Sequence, residues 1–159
     1  MATYDISTSP QSGRAAYNGT TLVYRKQSFD ISKLATQNAS DIVKVIPIYA
    51  GEFVSNVYVR VITASTTGSS TVTVGDTASG TSWVPSLAAT STAGTVVGAT
   101  GSNVFTQSGT TPFAVTWVGG KQYTTADTIQ VVLGATPPAN GVLEVIAEVV
   151  ETAVYGSVV

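Results

Sequence analysis

Pairs of carboxylates are the one catalytic device that this sequence leaves open, because the chain contains no histidine and no cysteine. Glu144 and Glu148 would lie on one face of a strand, about 13 Å apart at the usual rise per residue. Glycoside hydrolysis places its two carboxyl groups about 5–9.5 Å apart, so this pair does not fit that reaction. Solvated charges on a strand explain both glutamates. The sequence therefore predicts no catalytic residues, and we expect a protein that is not an enzyme.

Metal and cofactor sites are equally poorly supported. Zinc fingers, haem and iron–sulfur sites and Ser-His-Asp triads all need side chains that this chain lacks. Asp76 and Asp127 could offer oxygen ligands to calcium, but neither lies in the spacing of a calcium-binding loop. An Asx turn at the end of a strand explains each of them. We therefore predict no metal site and no cofactor.

Aromatic residues could form a platform on which a sugar or a base stacks. The candidates are Trp83, Trp117, Tyr58 and Tyr123. Trp117 alternates with Phe113 and Val115, as a core residue would. Trp83 lies in a long polar segment and is the better surface candidate, although an anchor that holds the segment to the core is the simpler interpretation. A carbohydrate-binding module therefore stays open as an alternative.

Charge is sparse and unevenly distributed. The chain has 159 residues, of which 10% are charged and 43% are hydrophobic, and its formal net charge is −2. That length suits one domain. Seven basic residues are too few for a nucleic-acid-binding face, and no apolar stretch is long enough to span a membrane. Residues 1–50 carry five basic and three acidic side chains, whereas residues 51–159 carry two and six. This asymmetry predicts a docking end and a solvent-facing end.

A period of two runs through most of the sequence and predicts half-buried strands. β-Branched and aliphatic residues alternate with others, and no window has a helical period. Turn signals such as Ala50-Gly51 and Gly119-Gly120 separate these runs. The predicted strands are 21–29, 42–49, 52–63, 71–74, 113–118, 128–133 and 142–155. The predicted fold class is all-β, an antiparallel β-sandwich that is jelly-roll-like, with an extended N-terminal arm.

The sequence predicts an arm followed by a domain that contains a long loop. We expect residues 1–39 to form an N-terminal arm and the first strand, and residues 40–159 to form the β-sandwich domain. Within that domain, residues 77–112 are rich in Ser, Thr, Gly and Ala and predict a long loop. Short strands around Val96-Val97 and Val104-Phe105 are the alternative for this loop.

The outward faces of the two longest predicted strands mix apolar and charged residues. A monomeric sandwich normally has polar outer faces, so these faces predict coverage by the long loop or by another subunit. The low charge content also favours an oligomer. The predicted interface residues are Val54, Tyr58, Ile62, Val142, Ile146 and Val150.

A series of segments resembles a known family. The segments are 46–51 (IPIYAG), 57–64 (VYVRVITA), 72–76 (VTVGD), Trp83, 120–129 (GKQYTTADTI) and 141–151. Over residues 40–151 the chain resembles small virion structural proteins of tailed bacteriophages, of the head decoration or cement type. The resemblance implies a β-sandwich that forms homotrimers, binds the major capsid protein and lies on the capsid exterior after synthesis in the host cytoplasm. It implies neither a nucleic-acid partner nor a membrane.

Docking to the capsid is expected to use the mildly basic arm. The candidate residues are Arg14, Tyr17, Arg25 and Lys26, while the loop 77–112 would face outward or cap the trimer. Main-chain hydrogen bonds between an extended arm and a partner sheet would supply binding affinity, and no catalytic group would be needed. A tail, baseplate or fibre component is the alternative within phage structural proteins.

Overall fold

Alternating β-branched residues form strands over most of the chain that the structure describes. This computed structural model describes residues 1–5, 11–12, 20–98 and 120–152. In these residues the one helical element is a short 3-10 turn at Ile31–Lys33. The strands are β1 (Thr3–Asp5), β2 (Gln11–Ser12), β3 (Thr20–Asp30), β4 (Ile42–Ile48), β5 (Phe53–Thr63), β6 (Thr71–Gly75), β7 (Val84–Ala88), β8 (Val96–Gly98), β9 (Lys121–Gln122), β10 (Asp127–Leu133) and β11 (Val142–Thr152).

The strands form two sheets. The first sheet has five strands in the order β1-β4-β10-β6-β7, and the second has six, in the order β2-β3-β11-β5-β8 with β9 also paired to β5. The all-β prediction is therefore confirmed. The antiparallel prediction needs one correction, because β1 pairs with β4 in parallel. The other pairings of described strands are antiparallel.

One hydrophobic core joins the inner faces of the two sheets. Both central strands of the second sheet contribute alternate residues to it, as the period of two predicts. These are Val57, Val59, Val61, Leu143, Val145, Ala147 and Val149. In the first sheet, alternate residues of β10 are buried in the same cluster, together with Val43, Val45, Ile46 and Ile48 of β4. Burial of each such valine or leucine contributes about 1.5–3 kcal/mol to folding, before the entropy of ordering the chain is subtracted.

A bulge in β5 changes which of its residues face the core. The register of β5 with β11 shifts between Glu148 and Val149, and the consecutive residues Asn56 and Val57 are both buried. An extra residue in one strand reverses the alternation beyond that point. Val54 therefore lies in the core and is fully buried. The prediction that Val54 belongs to an outward, intersubunit face is wrong for this reason.

The segment 77–112 contains strands that its composition concealed. The predicted long loop over 77–112 is interrupted by two strands: β8 confirms the alternative of a short strand around Val96-Val97, whereas β7 was not predicted. β7 is the edge strand of the first sheet, and an edge strand tolerates Pro85 because one side of its backbone needs no partner. The strands predicted around 104–105 and at 113–118 lie outside the described residues.

The close approach of β6 to the following turn leaves no room for a side chain at Gly75. A Cβ atom at Gly75 would lie 1.9 Å from the carbonyl oxygen of Ser79, whereas a Cβ atom at Gly68 would meet nothing within 4 Å. We expect Gly75→Ala to lower the free energy of unfolding by about 1–3 kcal/mol, because the backbone must move. Urea denaturation measures this change. The matched control Gly68→Ala should alter stability by less than about 0.5 kcal/mol, and equal effects at the two sites would contradict the prediction.

Candidate interaction surface

The outer face of the second sheet is the described surface that combines exposed apolar and charged side chains. The register of β11 with β3 and β5 arranges these side chains in rows across the sheet. The rows are Leu22–Val150–Phe53, Tyr24–Glu148–Asn56, Lys26–Ile146–Tyr58 and Ser28–Glu144–Arg60. Leu22 is 49% exposed and Tyr24 is 52% exposed. Exposed aliphatic and aromatic groups next to polar ones are typical of the surfaces that proteins use to bind one another.

Hydrogen bonds hold the polar middle of this outer face together. The Tyr58 hydroxyl lies 3.2 Å from one carboxylate oxygen of Glu148, and the Ser55 hydroxyl donates to the other at 3.1 Å. Asn56 donates its side-chain amide to the Tyr58 oxygen at 2.9 Å. Burial and the neighbouring Glu148 raise the pKa of Tyr58, which therefore stays protonated as a donor. The network positions Tyr58 without exposing a reactive group.

The two glutamates that sequence analysis considered as a catalytic pair have separate partners. Glu144 forms an ion pair with Arg60 at 3.0 Å, and Glu148 is bonded to Tyr58 and Ser55. Both lie on the outer face of β11, on the strand spacing that the sequence indicated. Arg60 neutralises Glu144, whereas hydroxyl groups hold Glu148, so each carboxylate is held by its own partners on the sheet.

Five of the six predicted interface residues lie on the outer face, and Val54 is the exception. Val142, Ile146 and Val150 are half-buried along β11. Tyr58 is half-buried beside Gly98 of β8, and Ile62 is 38% exposed near the end of β5. The structure thus brings these five side chains to one sheet face, although it contains no partner chain.

Of the four predicted docking residues, the two that the structure describes face opposite sides of β3. Arg14 and Tyr17 lie outside the described residues. Lys26 is exposed on the outer face, but Arg25 is only 3% exposed and points into the protein. Neighbouring residues of a strand point to opposite sides, and Val23 and Phe29 already place the odd-numbered positions of β3 inside. The prediction that Arg25 lies at the surface is therefore wrong, whereas Lys26 is exposed.

Arg25 forms a buried ion-pair network that joins the two sheets. It donates to Glu52 at 2.7 Å through one nitrogen and, through the other, to Glu52 again and to Glu151 at 2.9 Å. It also donates to the Pro47 carbonyl at 2.9 Å and lies 5.2 Å from the ring centre of Tyr49. Burial lowers the pKa of Arg25, but the hydrogen bonds that it donates to Glu52 and Glu151 outweigh burial and raise it. The network therefore fastens the β4–β5 turn to β3 and β11.

A second buried network surrounds Asp76 at the end of β6. One carboxylate oxygen accepts from the backbone of Ala78 and Ser79 at 3.0 and 3.1 Å, which is the Asx turn that the sequence predicted. The other accepts from Lys121 at 2.6 Å and from the Tyr123 hydroxyl at 2.9 Å. Burial raises the pKa of Asp76, but these hydrogen bonds outweigh burial and lower it. Burial and the neighbouring Asp76 raise the pKa of Tyr123, so its hydroxyl remains a donor.

The stacking platform considered for carbohydrate binding is not exposed in this fold. Trp83 is 2% exposed and Tyr123 is 3% exposed, and the indole nitrogen of Trp83 donates to the Tyr123 hydroxyl at 3.3 Å. Trp83 therefore anchors its segment to the core, as the simpler interpretation of the sequence predicted, and the alternative position at the surface is wrong. Trp117 lies outside the described residues.

The described part of the chain contains neither a cluster of metal ligands nor a membrane-spanning helix. Across residues 1–5, 11–12, 20–98 and 120–152, no group of three or more acidic side chains is placed to hold a metal ion. In the same residues, no helix has the length and apolar character needed to cross a membrane.

The opposite orientations of Arg25 and Lys26 predict very different effects of the same substitution. Arg25→Met removes the guanidinium from buried Glu52, so we expect it to lower the free energy of unfolding by about 3–5 kcal/mol. Lys26→Met, one residue along β3, should change it by less than about 0.5 kcal/mol. Urea denaturation of the two variants provides the comparison. A stable Arg25→Met variant would show that the network is not needed for folding.

Comparisons with known proteins show similarity of fold. No protein-family model matches the chain, and a search of curated proteins found no match. Among solved structures, one match is to a chain described as "Cyanophage Pam1 capsid asymmetric unit", with 16% identity, a TM-score of 0.54, and coverage of 90% of this chain and 94% of that chain. Another is to a chain described as "Capsid of Ralstonia phage GP4", with 19% identity, a TM-score of 0.49, and coverage of 94% and 98%. The chain is therefore similar in fold to a protein found in a cyanophage capsid structure.

Proposed function

We propose that this protein is a non-enzymatic structural component of a bacteriophage capsid, of the decoration or cement type, and that it binds the major capsid protein on the outer surface of the head. The observation that carries the proposal is the fold, which matches a chain of a cyanophage capsid structure over nine-tenths of this sequence. The resemblance of residues 40–151 to small virion proteins supports the same assignment.

The β3 side of the outer face is the surface that we assign to the capsid. Leu22 and Tyr24 are exposed there beside Lys26. Tyrosine is among the residues that supply most of the binding energy at protein interfaces, and exposed charges mainly guide association. This assignment keeps the expected docking region within residues 1–39 but moves it from Arg25 to its neighbours on β3. A protein of this kind strengthens a shell by adding contact area, for which it needs no catalytic group.

Self-association into a homotrimer is part of the same proposal, as is a jelly-roll-like sandwich for the two sheets. The β11–β5 side of the outer face offers half-buried Val142, Ile146 and Tyr58 next to exposed Ile62. A second copy would remove the remaining apolar area from water, which favours association. Several contacts from each trimer to the shell would then act together and raise the overall affinity.

Sedimentation velocity tests the homotrimer directly. We expect the purified protein at micromolar concentration to sediment with the mass of three chains. Replacing Ile146 with aspartate should shift it towards a single chain, because a charge would enter the proposed subunit contact. A wild-type protein that sediments as one chain would contradict this part of the proposal.

Binding to heads tests the decoration function. Expanded phage heads that lack the protein are mixed with labelled recombinant protein, and the bound fraction is measured after the heads are pelleted. We expect saturable binding, and we expect Leu22→Ser combined with Tyr24→Ser to weaken it at least about tenfold, which corresponds to about 1.4 kcal/mol. Ala88→Ser, at an exposed position of β7 in the first sheet, is the control and should bind as the parent does.

The possible outcomes of the binding experiment separate the alternatives. Equal binding by the double variant and the parent would remove the β3 side of the outer face as the contact. Failure of the parent to bind heads, together with its recovery on tails, would replace the decoration function with a tail, baseplate or fibre role. Carbohydrate binding has lost its main support, since Trp83 and Tyr123 are buried.

A further inference from the structure

Glu148 is a half-buried carboxylate in the middle of the outer face of the second sheet. Its two oxygens accept from the hydroxyl groups of Tyr58 at 3.2 Å and Ser55 at 3.1 Å, neither of which is charged. Glu144, on the same face, pairs with the guanidinium of Arg60 at 3.0 Å. Among the residues that the structure describes, no basic side chain forms an ion pair with Glu148. Glu148 therefore lacks the counter-charge that Glu144 has.

Lys26 is the basic side chain closest to Glu148 in the register of this face. It lies in the neighbouring row, opposite Ile146, and its side chain is exposed. Diagonal neighbours on a sheet face are about 7–8 Å apart, which is too far for a direct contact. In the described part of the chain the two side chains form no ion pair, so Lys26 does not neutralise Glu148 in the free protein.

Two tyrosine rings flank the Glu148 carboxylate. Tyr24 is the partner of Glu148 in the β3–β11 register and is 52% exposed, whereas Tyr58 donates its hydroxyl from the β5 side. Aromatic ring faces and carboxylates both attract cations. Each carboxylate oxygen has two lone pairs and accepts from one hydroxyl, so both oxygens retain acceptor capacity. A positively charged side chain therefore fits this arrangement, with its aliphatic stem on exposed Leu22.

The position of Glu148 sets a condition on any partner of the β3 side of the outer face. A partner that covers Leu22 and Tyr24 also covers Glu148, because Tyr24 and Glu148 are direct neighbours in the register. Removing a carboxylate from water is unfavourable unless a cation compensates it. An acidic partner surface would be repelled by the same group. Glu148 therefore selects a partner with a positive charge at this point of the contact.

We propose that Glu148, between Tyr24 and Tyr58, binds a positively charged side chain of the major capsid protein. This inference rests on the proposed function, because it names the chemistry of the capsid surface that the β3 side of the outer face contacts. Arginine and lysine both meet the requirement, since each combines a cation with a long aliphatic stem. The position of Glu148 beside exposed Leu22 and Tyr24 favours the capsid protein over a second copy of this chain.

Binding of Glu148→Gln to expanded heads tests the proposal. Glutamine keeps the size of the side chain and an oxygen that accepts from a hydroxyl, but it carries no charge. At low ionic strength we expect Glu148→Gln to weaken binding at least about tenfold, and Glu148→Lys to weaken it further because like charges then meet. The matched control Asp127→Asn removes one negative charge from β10 of the first sheet and should bind as the parent does. Urea denaturation of Glu148→Gln should give the same midpoint as that of the parent.

Two further measurements identify the source of the cation. In a Lys26→Met background, we expect Glu148→Gln to cause the same loss of head binding, because Lys26 is not the counter-charge. Sedimentation velocity should give Glu148→Gln and the parent the same mass. The proposal is overturned if the Glu148→Gln effect disappears in Lys26→Met, or if Glu148→Gln dissociates into smaller species, because the cation would then belong to this chain.

The behaviour of the parent separates this proposal from the proposed function. Heads that do not bind the parent would contradict the decoration function and the assignment of Glu148 together. Saturable binding of the parent, with equal binding of Glu148→Gln, would leave the decoration function standing and overturn the assignment of Glu148 alone.

Discussion

The pairing of β11 with β3 on one side and β5 on the other governs most of this structure. β11 has eleven residues, and all of them have partners on β3, while nine have partners on β5. Because alternate residues of a strand face opposite sides, this double register decides which side chains enter the core and which form the outer face of the second sheet. A shift of one residue would bring Glu144 and Glu148 into the core and expose Val145 and Ala147.

Two buried ion-pair networks fix connecting segments of the fold, in addition to the packing of the apolar core. Arg25 joins β3 to the β4–β5 turn that leads from one sheet to the other, and Asp76 joins the end of β6 to β9 and the Tyr123 segment. Each network has its donors and acceptors paired in a defined geometry, so each favours one arrangement of the connecting segments over others. These networks resemble catalytic clusters in composition, but their charges are satisfied within the fold.

The sequence predicts the regular parts of this fold well, because alternation is a local property that repeats along each strand. It fails where a local pattern is interrupted. β7 was concealed by Pro85 and Ser86, and the inward position of Val54 depends on a bulge that no residue type in β5 indicates. Arg25 was assigned to the surface because it is charged, although the alternation with Val23 and Phe29 already indicated the opposite. The burial of Trp83 and its contact with Tyr123 depend on segments that are distant in sequence, and spacing alone does not reveal such contacts.

The parallel strand β1 also affects how the protein behaves when it is crowded. β4 would otherwise end the first sheet as a seven-residue strand with backbone donors and acceptors open on one side. Such an edge pairs readily with any other strand, and this is a common route to aggregation. β1 occupies three residues of that edge. It therefore shields part of the sheet from unspecific edge-to-edge polymerisation, and this protection would matter most where many copies are held close together.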